Sequence, residues 1–561
     1  MLKSKKAKSK KERRPLTVKQ KKAIGFSLAG ILVIGLVLAV TIVLTQQAAD
    51  DEFSVKTGVA SSTLDGEGQS LSVGADGVEI TSGGIYNLST NIDSGSVIVR
   101  ANNADVKLIL QNVSITNPNG PAIYVEAADN FYLELVGDST VSATVGGDFN
   151  GAVYSKVDIA ISGNGSLTVN SNLDGIASKD DLEIDSGTII IKAEDDGIVG
   201  KDSIKIVDGT IEIQAGGDGL KTTNEVEFGD AEIVGGSIKI DAGSDGLQII
   251  ANLLISGGTL DITAGGGSGA TSTSSQWLGG NQSTSMKGIK ANSSVQITGG
   301  TITIDSQDDS FHSDNNITIK GGSLTTSSGD DGIHADNTLS ISDGTVTVKK
   351  AYEGIEAGAI TIDGGNISVT SADDGFNAAG GSDTSTSRMG GRDAFSGDAS
   401  KVLAINGGKI YVNSGGDGLD SNGNFYITGG TIYVDGPTNN GNSAVDYGDT
   451  GCEFKITGGT LIAVGSNGMA TNASSVTQAT VLINLSNNYT GKFNFGDINY
   501  TPAKSYSSIL ISSSKLNVGS SYDLKINGST VQSVNLSNMI TTSGNSGMQP
   551  GMGNNQQGSR R

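Results

Sequence analysis

A single cysteine, Cys452, stands in 561 residues, so no disulfide can form within the chain and stability must come from packing and hydrogen bonds. Proline is scarce, at 6, and the 82 glycines do not recur every third residue, which excludes collagen. Aromatic residues make up only 5%, with one tryptophan, which is unusual for an ordinary compact enzyme. His312 and His334 are the only histidines. No GxSxG, HExxH, CxxC or phosphate-loop motif occurs, so the commonest hydrolytic and nucleotide-binding chemistries lack their residues.

Positive charge is also scarce beyond the first 22 residues. Those hold 11 Lys/Arg and one Glu, which leaves 26 basic (37 − 11) and 58 acidic residues (59 − 1) in the remainder, net −32. So acidic a domain suits multivalent cations and not nucleic acid. Residues 23 to 49 carry no charge, and the apolar run from Ile24 to Leu44 is long enough to span a bilayer. The basic flank then predicts a cytoplasmic segment at 1–22, a transmembrane anchor at 23–45 and an extracellular main domain. A cleaved secretory signal is the alternative, but Gln46 and Gln47 interrupt the small-residue pattern that cleavage needs.

What the chain has in plenty is repetition. Ser310, Gly332, Gly354 and Gly375 occupy the same place in successive segments, with steps of 22, 22 and 21 residues. Such a period marks a solenoid, in which each unit buries its apolar face against the next. Each unit reads as three short alternating strands: one after an Asp-Gly step, one of the form L-x-I, and one after a second glycine. The apolar columns include Ile176, Ile198, Leu220, Leu247, Ile289, Phe311, Ile333, Ile355, Phe376 and Leu419. Three sides per coil predict an all-β parallel β-helix over 78–465. A stalk is expected at 46–77, a β cap over the open end at 466–540, and a low-complexity tail at 541–561. Gly/Ser-rich insertions at 266–285 and 380–400 should loop out, and Trp277 or Phe395 could stack on a sugar ring there.

Before the first glycine of each coil stand Asp174, Asp196, Asp218, Asp245, Lys287, Asp309, Asp331, Glu353, Asp374 and Asp417. Stacking puts these side chains about 5 Å apart, where like charges repel by about 3 kcal/mol at an effective dielectric near 20. Asp-Gly is also a favoured turn, with the carboxylate taking a backbone N–H and glycine taking positive φ. That suffices for Asp218, Asp245 and Asp417. Doubled acids go further: Asp195/Asp196, Asp308/Asp309, Asp330/Asp331 and Asp373/Asp374, with Glu353 and Glu356, form a set of hard oxygen ligands suited to Ca²⁺. Two positions after the glycine runs a column that includes Lys290, His312, His334, Glu356 and Asn377. Its histidines read as solvated polar positions, with a soft-metal site the sharper alternative. Lys287 or Lys290 could serve as the base of a uronate β-elimination, although surface lysines balancing acids is the simpler reading.

The ordered series SKDDLEI, DDGIVGKDSIKI, GDGLKTTN, SDGLQ, DDGIHADNTLSI, YEGIEAGAITIDGG and DDGFNAA resembles the calcium-binding parallel β-helix family called "carbohydrate-binding domain-containing protein". The resemblance covers roughly residues 78 to 465. It implies a right-handed single-stranded β-helix like that of pectate lyases, calcium in acidic clefts, and non-catalytic binding of acidic polysaccharide such as polygalacturonate, with cellulose as a further partner. Ser310 in place of glycine and Lys287 in place of an acid depart from the pattern and put the cation sites of those two coils in doubt. The expectation is a membrane-anchored, non-enzymatic glycan binder, with His312, His334, Asn377, Lys287, Lys290 and Trp277 facing the glycan. A surface adhesin or fibre subunit is the alternative, and a uronate lyase the second.

Overall fold

The computed structural model describes residues 53–62, 64–226, 229–270, 285–379, 397–448 and 451–544. The regular elements among them are strands, and no helix among them is long and apolar enough to cross a membrane. The expected anchor at 23–45, its basic flank, Trp277 and Phe395 lie outside the described residues.

Each coil lays three strands on the equivalent strands of the next, always in parallel. In the first sheet Ile198–Gly200 pairs with Leu220–Thr222, and that strand with Leu247–Ile249. In the second, Ser203–Ile206 pairs with Asp230–Ile233 and then Asn252–Ile255. In the third, Thr210–Ala215 pairs with Ser237–Ala242 and then Thr259–Ala264. This is a β-helix-like fold of long parallel sheets. Along Ile333–Ile341 and Ile355–Ile362 one strand serves both the first and second sheets, and the register shifts between Ala335 and Thr338.

Alternation explains the core. Thr210–Ala215 (TIEIQA) alternates exposed and buried, so Ile211 and Ile213 point inward onto Ile238 and Ile240 of the next coil. Burying each such side chain contributes roughly 1.5–3 kcal/mol before chain entropy is counted. The apolar column after the first glycine, from Ile176 to Leu419, lies wholly in this core.

The two glycines of a coil do different jobs. The second takes positive φ, as at Gly236 (84°) and Gly258 (82°), at the turn into the third sheet. The first does not, contrary to the reading of Asp-Gly as a positive-φ turn. A Cβ on Gly219 would stand 2.4 Å from Ile240 Cγ2 and 2.5 Å from the Gly246 carbonyl oxygen, so that position is glycine because coils approach too closely for a side chain. Ser310 fills the equivalent place in its own coil, buried, its hydroxyl meeting Ser306 Oγ at 3.1 Å and the Ser327 carbonyl at 3.2 Å.

The expected stalk at 46–77 is a correction. Its described part lies on the outer face of the second sheet, where the backbone N–H of Lys56 donates to Asp230 (2.8 Å) and that of Val59 to Glu183 (2.6 Å). Further along, Tyr132 donates to the Ala60 carbonyl at 2.8 Å and Lys107 to the Leu64 carbonyl at 3.1 Å. The segment therefore straps successive coils, and solenoid pairing begins by Gln69–Ser70, which runs parallel to Gly84–Leu88.

At the other end, Tyr506–Ser512 runs antiparallel to both Thr460–Gly465 and Thr480–Tyr489, which ends the parallel stack and covers its edge. Buried Asp435 ties this cap to the last coils, accepting from Tyr411 (3.0 Å), Tyr500 (2.9 Å) and the Ala503 N–H (2.9 Å). The cap extends past 540, since Ile540–Ser543 is a strand paired with Thr480–Tyr489.

Candidate functional site: an acidic ladder along one edge

The turn between the third and first sheets carries the acidic column. Parallel register sets Phe311 on Ile333, Ile355 and Phe376, and so sets Asp309, Asp331, Glu353 and Asp374, each two residues earlier, along one edge. The inner acids Asp174, Asp196, Asp218, Asp245, Asp309 and Asp331 are only 1–7% exposed. Asp195, Asp308, Asp330 and Asp373 stand further out as a rim.

In most of these rungs one carboxylate oxygen belongs to the fold. Oδ1 of Asp174 accepts the backbone N–H of Asp196 (3.2 Å), that of Asp196 the N–H of Asp218 (2.7 Å), and that of Asp218 the N–H of Asp245 (2.9 Å). The same bond joins Asp245 to Lys287 (2.7 Å), Asp309 to Asp331 (3.0 Å) and Asp374 to Asp417 (2.6 Å). Each aspartate thus links its coil to the next, and its second oxygen is what remains for chemistry.

Those second oxygens meet positive charge from the chain itself along part of the edge. Lys221 Nζ bridges Asp196 Oδ2 (2.9 Å) and Asp218 Oδ2 (2.8 Å). Lys287 is inside the ladder rather than facing a glycan, its buried Nζ 2.5 Å from Asp309 Oδ2 and 3.3 Å from Asp308 Oδ2. Half-buried Lys290 acts on Asp245 and Asp314 through its charge.

His312 and His334 correct the reading of solvated positions: both are buried, at 3% exposure, with rings stacked 5.0 Å apart. His312 Nδ1 lies 3.1 Å from Asp309 Oδ2 and Nε2 3.0 Å from Asp314 Oδ1. His334 Nδ1 lies 3.0 Å from Asp331 Oδ2 and 3.2 Å from Glu356 Oε2, with Nε2 3.1 Å from Asp336 Oδ1. Asp314 and Asp336 are absent from the sequence-derived set. Their signal is the twice-repeated spacing D-x-x-H-x-D, in DSFHSD and DGIHAD.

Carboxylates of neighbouring coils also gather beside these cations. Asp174, Asp195 and Asp196 each offer a carboxylate oxygen within 4.8 Å of the others, as do Asp308, Asp309 and Asp330. Burial, and then repulsion from Asp196, pushes Asp174 up to about 7. Burial, then Glu356, takes Glu353 to about 7, although Asn377 Nδ2 donates to its Oε2 at 2.8 Å. Asp374 rises to about 9, through burial and then Asp417, Asp420, Glu353 and Asp373. Asp158, Asp180 and Asp181 form a further acidic group outside the sequence-derived set.

Beside the early rungs a groove of about 580 Å³ follows the outward column of the third sheet, where Thr116, Ser142, Asn170, Lys192 and Gln214 stack in register. Its other wall includes Glu194, next in sequence to Asp195 of the ladder. Hydroxyl and amide groups spaced one coil apart along an open groove can hydrogen-bond a linear chain of hydroxyl-rich units.

A parallel solenoid with an acidic edge and a polar groove belongs to the class of repeat proteins that present an extended surface. The family model "Carbohydrate-binding domain-containing protein" matches residues 75–332 and again 333–558, and the chain belongs to that family. A relative bearing the same description in Acetivibrio thermocellus is 34% identical over 130 residues, which is 21% of this chain and 45% of that protein. The match thus spans less than half of the relative's own length. A solved structure described as a polysaccharide lyase-like protein from C. thermocellum, gadolinium derivative, is similar over 48% of this chain and 89% of that one, at 25% identity and a TM-score of 0.30.

Proposed function

We propose that this protein binds acidic, uronic-acid polysaccharide without cleaving it, through calcium held on the ladder and shared with the carboxylates of the sugar. The observation that carries this reading is the division of labour along the ladder: at Asp174, Asp196 and Asp218 the Oδ1 is used by the next coil's N–H, while Asp174, Asp195 and Asp196 still bring carboxylate oxygens within 4.8 Å of one another at the edge. Calcium takes six to eight oxygens in flexible geometry, so a few carboxylates from the protein leave positions for a sugar carboxylate. Asp373 and Asp374 with Glu353 offer a second such place, and the raised Asp374 marks a charge that a cation would relieve. The groove beside the early rungs would hold the rest of the glycan chain.

Within this reading the solenoid winds right-handed, the segment at 23–45 anchors it in the cell membrane, and the ladder faces the extracellular side. Cellulose is a further partner for the uncharged groups of the groove. Lys287 is a poor elimination base, because its ammonium is bound inside the ladder by Asp309.

Calorimetric titration of the full chain in mild detergent with polygalacturonate tests the reading. Binding in calcium that disappears in chelator, and weakens in Asp195→Asn and Asp374→Asn, is expected. Equal binding with and without chelator overturns the calcium bridge.

The ladder's own cations, Lys221 and Lys287, favour one other reading, in which the acidic edge is purely structural and the protein is a surface adhesin or fibre subunit. Calcium would then raise the melting temperature while a glycan array stayed blank.

A further inference from the structure

We infer that Asp331, His334 and Glu356 form a site for one borderline divalent transition metal of the zinc class, distinct from the calcium positions proposed above. His334 Nε2 lies 3.1 Å from Asp336 Oδ1, and an ionised carboxylate only accepts, so Nε2 carries the hydrogen. A neutral imidazole then turns the lone pair of Nδ1 toward Asp331 Oδ2 at 3.0 Å and Glu356 Oε2 at 3.2 Å. Three possible ligand atoms thus lie within 4.8 Å of one another.

A second proton on the ring or a metal would hold these groups together, and the 3.0–3.2 Å separations fit both. Ligands bonded at about 2.0–2.1 Å to zinc stand about 3 Å from one another, the spacing seen here. One nitrogen with two carboxylate oxygens suits a borderline ion better than calcium, which takes oxygen alone. A carboxylate holding the far nitrogen of a metal-binding imidazole is the usual support for such a ligand, and Asp336 supplies it. The imidazole is 3% exposed and aimed into the cluster, so its orientation is fixed before any ion arrives.

The preceding coil is the internal control. Asp309, His312 and Asp314 repeat the same arrangement, but there the Lys287 ammonium lies 2.5 Å from Asp309 Oδ2 and provides the positive charge. One coil on, the register places Glu356 beside His334, where the coil before sets His334 beside His312, and the ladder position that Lys287 fills before Asp309 is filled before Asp331 by Asp309 itself.

Zinc and cobalt(II), as the metals alone, are the probes. The full chain in mild detergent, stripped with chelator and dialysed at neutral pH, is titrated by calorimetry and its metal counted by mass spectrometry. One zinc per chain is expected, not displaced by excess calcium, with cobalt(II) giving visible ligand-field bands. His334→Gln and Glu356→Gln should each lose at least tenfold in affinity. Asp336→Asn, a positioning change, should lose about 10- to 100-fold. His312→Gln should retain the site. Absence of stoichiometric zinc, ready displacement by calcium, or affinity unchanged in Glu356→Gln overturns the inference. If His334→Gln fails to fold, the wild-type cobalt spectrum and Glu356→Gln decide it. Loss of glycan binding alone leaves this site standing, because the two tests read different ions.

Discussion

Asp218 accepts the backbone N–H of Asp245 through Oδ1 at 2.9 Å, across 27 residues of chain. The bond joins two turns that share no strand, and it recurs from Asp174 to Asp374. An acidic side chain at this place is therefore part of the fold before it is part of any binding site.

Asp218→Asn should be tolerated better than Asp218→Ala, because the amide oxygen still accepts the Asp245 N–H. Leaving a buried N–H unpaired costs about 1–3 kcal/mol, so the alanine variant should melt lower, as thermal unfolding by circular dichroism can show. Equal melting of the two variants would mean that the bond contributes nothing.

Gly219→Ala should destabilise although the backbone there is not left-handed. The added methyl meets both Ile240 Cγ2 and the Gly246 carbonyl, and overpacking of this kind costs about 1–3 kcal/mol. Trimming Ile240 to alanine in the same chain should recover little, since the carbonyl stays. Full recovery of the melting temperature would place the clash on the side chain alone.

Lys287→Met removes the ammonium from between Asp308 and Asp309 and leaves buried carboxylates without it. Breaking a buried ion pair from one side costs about 3–5 kcal/mol, which denaturant unfolding would register. Adding Asp309→Asn should restore part of that loss. A variant as stable as the parent would show that the ladder does not depend on this charge.

Asp245 carries a pH dependence whose sign follows from its surroundings. Burial first, and then Asp218, push it up to about 6, against the opposing Lys287 N–H, Ser285 hydroxyl and Lys290 charge. A carboxyl that holds its proton more tightly folded than unfolded loses stability as pH rises from about 4 through about 6. Asp245→Asn keeps an acceptor for the Lys287 N–H and cannot ionise. It should match the parent near pH 4 and be the more stable protein at pH 8, by up to about 3 kcal/mol. Parallel stability curves for the two proteins would contradict the shift.

Much of the stacking is legible in the sequence, because a 22-residue period fixes which residues overlie which. Ile176, Ile198 and Leu220 name a core column, and Asp309 with Asp331 name an edge, without any three-dimensional information. What the period does not show is depth. His312 and His334 occupy an outward register, yet they stack on each other and are held at their far nitrogens by Asp314 and Asp336, so the edge closes over them. The strap at Lys56, Val59 and Ala60 has no period to read, since its own N–H and carbonyl groups meet side chains of several coils instead of pairing strand to strand. Gly219 misleads for a related reason: the sequence does not separate a glycine chosen for its φ from one chosen for lack of room.

Anomalous scattering from crystals grown in calcium decides whether carboxylates on neighbouring rungs hold cations together. Calcium peaks within bonding distance of Asp174, Asp195 and Asp196, and of Glu353 and Asp374, are the predicted result. An acidic edge bare of peaks at saturating calcium would contradict it.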